Sequence, residues 1–284
     1  MLGRGCPTQR KQLRLHAKLR VRHPLQTGHY GKRALVIKTV LRYAKPYKRA
    51  LSGGYRNLRG GIADASPGWA QRRLGRGLDY FDLIFIDHHI FRFIYSNRHK
   101  VAPGVWRASQ PAPFQIRGFA RKGVRTIINL RGERDCGSYR LEAHACRRNG
   151  IKLVDFPMRS RGVPDEQMLR ELDVLLRDIE YPVLLHCKSG ADRVGLMSAL
   201  YLILRENRSP EEAIQQLSIK YGHFRQADTG VLDHFLESYI EYNKATPISF
   251  MDWVNTVYDR KQVKSTFAPK SWANTVVNSI LGRE

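Results

Sequence analysis

His186-Cys187-Lys188-Ser189-Gly190-Ala191-Asp192-Arg193 sets a cysteine and an arginine six positions apart, with a glycine between them. The apolar run Val183-Leu184-Leu185 leads in, and a helix-like run from Val194 to Leu204 leads out. A strand, a tight turn and a helix N-terminus together make an anion cradle. Backbone N–H groups in such a turn point inward, and the helix dipole adds positive potential. A cysteine held there is expected to react as the thiolate. A guanidinium at the end of the loop can grip two phosphoryl oxygens at once. Together these parts suit attack on a phosphate ester through a phosphocysteine intermediate.

The stretch resembles the His-Cys-x5-Arg signature of the cysteine-dependent protein tyrosine and dual-specificity phosphatases. The likeness extends to Trp106-Arg107-Ala108-Ser109-Gln110-Pro111 and to the segment from Thr126 to Glu133, which are similar to the small bacterial and fungal dual-specificity branch. It covers about residues 101–243. The resemblance implies Cys187 as nucleophile and Arg193 as the group that binds the phosphoryl oxygens. Backbone amides of Lys188, Ser189, Gly190 and Ala191 would complete the cradle, with His186 supporting the loop. It implies no metal or cofactor.

The leaving alcohol also needs a proton. Many relatives supply it from an aspartate on a mobile loop about thirty residues before the cysteine. Here that segment, Phe156 to Pro164, contains arginines and no carboxylate. Asp192, inside the cradle, is the preferred candidate, as in the subset of phosphatases with Cys-x4-Asp-Arg. Asp165 is second, and a helix N-cap is its simpler reading. Asp155 is expected on a strand. One departure stands out. The residue after the arginine is usually Ser or Thr, whose hydroxyl steadies the departing thiolate, and here it is Val194. A phosphate-binding module with weak turnover is therefore the alternative function. A sulfur-transfer enzyme is a further rival, against which Arg193 and the loop length speak.

Net charge is +24, and it is uneven. Residues 1–78 hold 19 Lys and Arg against one acid, Asp64. The excess belongs to an extension, expected to be largely flexible, and says little about the catalytic body. Cys6, Cys136, Cys146 and Cys187 form no CxxC pair, which points to a reducing, cytoplasmic setting over a disulfide framework. No apolar run is long enough for a membrane-spanning helix. The basic, acid-poor start could serve as a transit peptide, but a basic tail explains it as well.

Within the extension, Arg33 to Tyr43 has helical spacing. Residues 79–100 are densely aromatic, with Leu83, Ile86, Ile90 and Ile94 at helical intervals. This segment is expected to be an amphipathic helix packed on the domain, or one lying at a bilayer surface. Residues 1–96 are thus a candidate for peripheral contact with anionic membrane, and nucleic acid is not an expected partner. His88-His89 has no third ligand in view.

From Val101 the pattern is regular. Strands are expected over 104–110, 124–130, 151–156 and 182–186, and helices over 113–122, 138–148, 165–179, 193–206, 210–221 and 229–243. Alternation of this kind predicts an α/β fold, a mostly parallel sheet covered by helices and free of antiparallel strands. Residues 244–284 are expected to pack on the body through Trp253, Tyr258 and Trp272. Arg131, Arg134, Arg159 and Arg161 fall on loops after strands, where open α/β sheets bind ligands. Such a rim favours substrates with more than one negative charge, such as inositol phosphates or phospholipid head groups; phosphotyrosine or phosphoserine/threonine protein is the other substrate class in view.

Overall fold

The strand that carries the cysteine, β5 (Val183–Cys187), is buried along its whole length. Such strands are covered on both faces and read as continuous apolar runs. In the computed structural model β5 is the middle of a five-stranded sheet with order β1-β2-β5-β3-β4. The other strands are β1 (His99–Ala102), β2 (Val105–Ser109), β3 (Thr126–Asn129) and β4 (Lys152–Asp155). The structure describes residues 68–83 and 96–269, with positions 53, 54, 57, 58 and 61. All of these belong to one unit, Leu41–Glu284. The helical spacing at 33–43, most of the aromatic segment, and Trp272 lie outside the described residues.

β2, β5, β3 and β4 run parallel, with Ser109 opposite Cys187, Asn129 opposite His186, and Asn129 opposite Asp155. Their carboxyl ends therefore line up on one edge. β1 corrects the expectation of a sheet without antiparallel strands, because it pairs antiparallel with β2. Ala102 faces Val105 across a two-residue turn, and Gly104 takes φ +74° there. So short a connection can only reverse the chain.

Six longer helices follow the strands or flank them: α1 (Gly68–Phe81), α2 (Pro113–Arg121), α3 (Gly137–Arg148), α4 (Glu166–Asp178), α5 (Asp192–Arg205) and α7 (Val231–Ala245). Between the last two, the helix expected over 210–221 breaks into pieces. α6 (Pro210–Ala213) gives way to short 3-10 turns at Ile214–Gln216 and Ile219–Tyr221. Ser209 caps α6 as its sequence suggests, accepting from the Glu212 amide. Leu217 then leaves helical backbone, at φ −99° and ψ 80°. At that point the Arg107 guanidinium captures both the carbonyl and the side chain of Gln216, each at 2.8 Å.

Alternation along β5 distributes its side chains between two cores. Val183, Leu185 and Cys187 join the larger one, with Leu169, Leu172 and Leu176 of α4, Val194 to Leu202 of α5, and Leu232 and Phe235 of α7. Leu184 joins the smaller core, with Ile116 and Phe119 of α2 and Ala145 and Cys146 of α3. The same alternation turns His186 toward α3. α8 (Phe250–Thr256) and α9 (Arg260–Thr266) close the described chain. Trp253 and Tyr258 are buried against Phe235, with ring centroids 6.0 and 5.3 Å away.

α1 crosses the boundary drawn at 78/79 between extension and aromatic segment. It meets the start of α3. A Cβ on Gly137 would fall 2.6 Å from the Asp79 Cα. Asp82 accepts from the Ser138 amide at 3.2 Å, and Asp79 pairs with Arg140 at 3.1 Å. Asp82 thereby satisfies one of the orphan amides of the α3 N-terminus.

Candidate active site

Cys187 is the last residue of the central strand, and Asp192 and Arg193 open α5. The four residues between them turn the chain. Gly190 is required twice over. Its φ is +76°, a conformation that side chains disfavour, and an added Cβ would sit 2.7 Å from the Ser109 amide nitrogen. The loop thus lies directly against the end of β2. Ser189 and Arg193 alone in His186–Arg193 keep partial exposure, and Cys187 is buried. Arg193 Nη1 is 3.4 Å from the Leu130 carbonyl at the end of β3. The structure thus places His186 and Cys187 at the end of β5, Lys188 to Ala191 in the loop that follows, and Asp192 and Arg193 in the first turn of α5.

The loop is held from behind by residues that sequence reasoning missed. Asn97 Nδ2 donates to the carbonyls of Ser189, Gly190 and Tyr221 at 3.1, 2.9 and 2.9 Å. Arg107, fully buried, donates to the carbonyls of Gly190 and Ala191 at 3.0 and 3.2 Å. Its guanidinium also lies 3.9 Å from the centroid of the Tyr221 ring, a cation–π geometry. With the loop carbonyls drawn outward, its amides are left to face the cradle. A signal for Arg107 existed: it shares strand parity with Val105, an inward position.

His186 Nε2 lies 2.6 Å from Glu142 Oε1 of α3, and both side chains are fully buried. Gln110 Nε2 donates to the other Glu142 oxygen at 2.7 Å. Arg131 in turn reaches Gln110 Oε1, so it is engaged in this chain of contacts and is not a loose rim arginine. Arg159 and Arg161 are exposed. No local signal marked Glu142, which occupies one position on a helix with ordinary amphipathic spacing.

The three candidate acids separate clearly. Asp155 ends β4 with both oxygens occupied, by Asn129 Nδ2 at 2.7 Å and the Tyr139 hydroxyl at 2.6 Å. Asp165 caps α4, accepting from the Met168 amide at 2.8 Å. Asp192 is buried in the first turn of α5, and its Oδ1 is 2.7 Å from His223 Nδ1. His223 Nε2 is 2.6 Å from Asp233 Oδ2 of α7. Burial alone would lower the His223 pKa, but the hydrogen bonds and charges of Asp192 and Asp233 prevail and raise it to about 9.

Val194 is fully buried in the larger core, so no hydroxyl reaches the cradle from that position. The nearby Ser198 hydroxyl is spent on the Val194 carbonyl at 2.7 Å. Burial raises the thiol pKa of Cys136 and of Cys146.

The segment Phe156–Pro164 is fastened at both ends. Phe156 and Met158 donate backbone N–H to the carbonyls of Asn129 and Leu130 at 3.0 and 3.2 Å. The Tyr258 hydroxyl donates to the Pro164 carbonyl at 2.6 Å, and Arg260 Nε to the Val163 carbonyl at 3.0 Å. Met158, Val163 and Pro164 are buried.

Residues 95–231, the span that carries this loop and sheet, match the family described as DSP-PTPase phosphatase fused to NAD+ kinase. The segment belongs to the dual-specificity phosphatase family. The chain is 25% identical over 179 residues to the dual specificity protein phosphatase TpbA of Pseudomonas aeruginosa, covering 63% of this chain and 69% of that protein. It is 29% identical over 156 residues to the inositol diphosphatase DSP4 of Arabidopsis thaliana, covering 52% of this chain and 74% of that protein. Among solved structures, that of P. aeruginosa TpbA covers 54% of this chain and 91% of its own, at 18% identity and TM-score 0.42. Among the described residues, no group of three His, Cys, Asp or Glu side chains is placed to hold a metal ion. No helix among them is long and apolar enough to cross a membrane.

Proposed function

We propose that this phosphatase hydrolyses phosphate monoesters through a phosphocysteine intermediate. The observation that carries the reading is Cys187 at the carboxyl end of β5, followed by a loop whose carbonyls are held back by Asn97 and Arg107. The Cys187 thiolate attacks phosphorus, the P–O bond to the alcohol breaks, and Arg193 with the loop amides stabilises the equatorial oxygens. The leaving oxygen takes a proton through Asp192. Water then attacks the phosphocysteine, returning its proton by the same route and releasing phosphate and thiolate. His186, set by Glu142, orients the strand end next to the nucleophile. The substrate class is a phosphotyrosine or phosphoserine/threonine protein, or an inositol phosphate or phospholipid head group. The name of TpbA supports the first and that of DSP4 the second. A cytoplasmic setting goes with a thiolate nucleophile.

The test is phosphate release from an aryl phosphate by the full chain in the presence of chelator. Wild-type protein turns over, Cys187→Ser does not, and Cys187→Ser still binds vanadate. Full activity in the serine variant would remove the phosphocysteine mechanism. The second reading, a phosphate-binding module with weak turnover, is favoured by the buried Val194. Rapid-quench measurement separates the two. A stable phosphocysteine whose breakdown is accelerated by Val194→Thr supports the binding module, and rapid breakdown in the wild type supports the enzyme.

A further inference from the structure

His223 is a buried histidine with a carboxylate on each ring nitrogen, and the chemistry described so far uses it only as a neighbour. Its loop lies between α6 and α7, thirty-one residues from Asp192 in sequence. Carboxylates only accept, so both contacts are satisfied together when Nδ1 and Nε2 each carry hydrogen, that is, as imidazolium. The charged groups facing the ring are Asp192, from the first turn of α5, and Asp233, from the first turn of α7. All three side chains are buried, so water does not compete for these protons.

We propose that His223 is a positioning residue that keeps Asp192 supplied with the proton it passes to the leaving group. This rests on the assignment of Asp192 under the proposed function. As the P–O bond breaks, the proton on His223 Nδ1 moves to Asp192, and a proton leaves Asp192 for the departing oxygen. His223 becomes the neutral imidazole, with its remaining hydrogen on Nε2 toward Asp233. When water attacks the phosphocysteine, its proton returns through Asp192 to Nδ1, and the starting charges are restored. Asp233 holds the ring in orientation and favours its charged form. An aspartate fed in this way has no need of a mobile acid loop. A donor drawn from His223 also remains protonated to higher pH than a solvated carboxyl, in keeping with its pKa near 9.

The experiment compares full-length wild type, His223→Asn and Asp233→Asn on two substrates, a nitrophenyl phosphate and an alkyl phosphate, with kcat followed across pH. His223→Asn is expected to lose on the order of a hundredfold on the alkyl phosphate, the typical contribution of a general acid, and far less on the nitrophenyl phosphate. Its kcat on the alkyl substrate is expected to fall off at lower pH than that of the wild type. Asp233→Asn keeps the imidazole and shifts the fall-off the same way by less. Equal losses on both substrates with an unmoved pH profile would overturn the proposal and leave His223 as a structural tie. If His223→Asn does not fold, judged by its melting transition, Asp233→Asn decides alone, and an unmoved profile there overturns it. A wild type that releases no phosphate from either substrate, or a Cys187→Ser variant as active as wild type, sinks the phosphatase reading itself, whatever the His223 variants do.

Discussion

A single glycine decides whether the cradle can exist. Gly190 combines a positive φ with an approach to β2 that leaves no room for a Cβ. Gly190→Ala is expected to cost on the order of 2 kcal/mol in stability, from backbone strain plus the displaced loop. It is also expected to lower kcat/KM on an aryl phosphate by on the order of a hundredfold, since misplacement of about 1 Å has that effect. Thermal unfolding and steady-state kinetics on the same preparation check both. Cys187, Gly190 and Arg193 were legible in the sequence because their arrangement is local: strand, turn and helix start are consecutive. Glu142, His223, Asp233 and Asn97 were not, because each reaches the site from another element. What chain order offers for such residues is a polar side chain among apolar ones, which a solvated surface position also produces. Arg107 lies between these cases, since strand parity pointed it inward but nothing in its neighbours named Gln216 and Tyr221 as its partners.

At the scale of elements, the contact through His223 ties α5 to α7, and its strength depends on pH. The folded-state pKa, about 9, lies above the unfolded 6.5. The contribution is then fully present below the unfolded value and is lost as pH rises from 6.5 through about 9. Its size by linkage is on the order of 3 kcal/mol. Urea unfolding at pH 6 and at pH 9.5 is expected to show the wild type losing stability at the higher pH. His223→Asn is expected to lose much less between the same two conditions. Helices α2 to α5 were readable from periodicity and caps, as with Asp165 before α4, and so was the start of α6 at Ser209. The stretch 210–221 was not, because the break at Leu217 comes from a guanidinium on a distant strand and not from any helix breaker in the segment itself.

For the whole molecule, the docking of α1 on α3 places the functional body's edge before residue 79. Removing residues 1–95 strips Asp82 from the α3 N-terminus and Asp79 from Arg140, and takes away Leu83, a side chain only 1% exposed, from the surface it packs on. That truncation is expected to lower the melting temperature. Removal of residues 1–67 alone is expected to leave both stability and hydrolysis of a small substrate near wild type. Differential scanning calorimetry of the two truncations checks this. The shorter one also tests the basic extension as a membrane contact. Without it, binding to anionic vesicles should fall, with the difference shrinking as salt rises. The charge of the extension was plain in the sequence, whereas the helix boundary was not, because Gly75 and Gly77 interrupt the pattern that α1 nonetheless follows.

The fastening of Phe156–Pro164 has a kinetic consequence. Where an acid-bearing loop must swing shut in every cycle, the solvent resists that swing, and turnover slows as the medium thickens. Here Tyr258 and Arg260 bolt one end of the segment, and the end of β3 holds the other. Its exposed arginines can move, but the backbone is tied at both ends. With a slow aryl phosphate under saturating conditions, kcat in sucrose or glycerol solutions is expected to stay flat as viscosity rises several-fold. Cutting the bolt with Tyr258→Phe should introduce a dependence on friction that the wild type lacks. A steep decline already present in the wild type would mean that the segment travels during catalysis despite its ties.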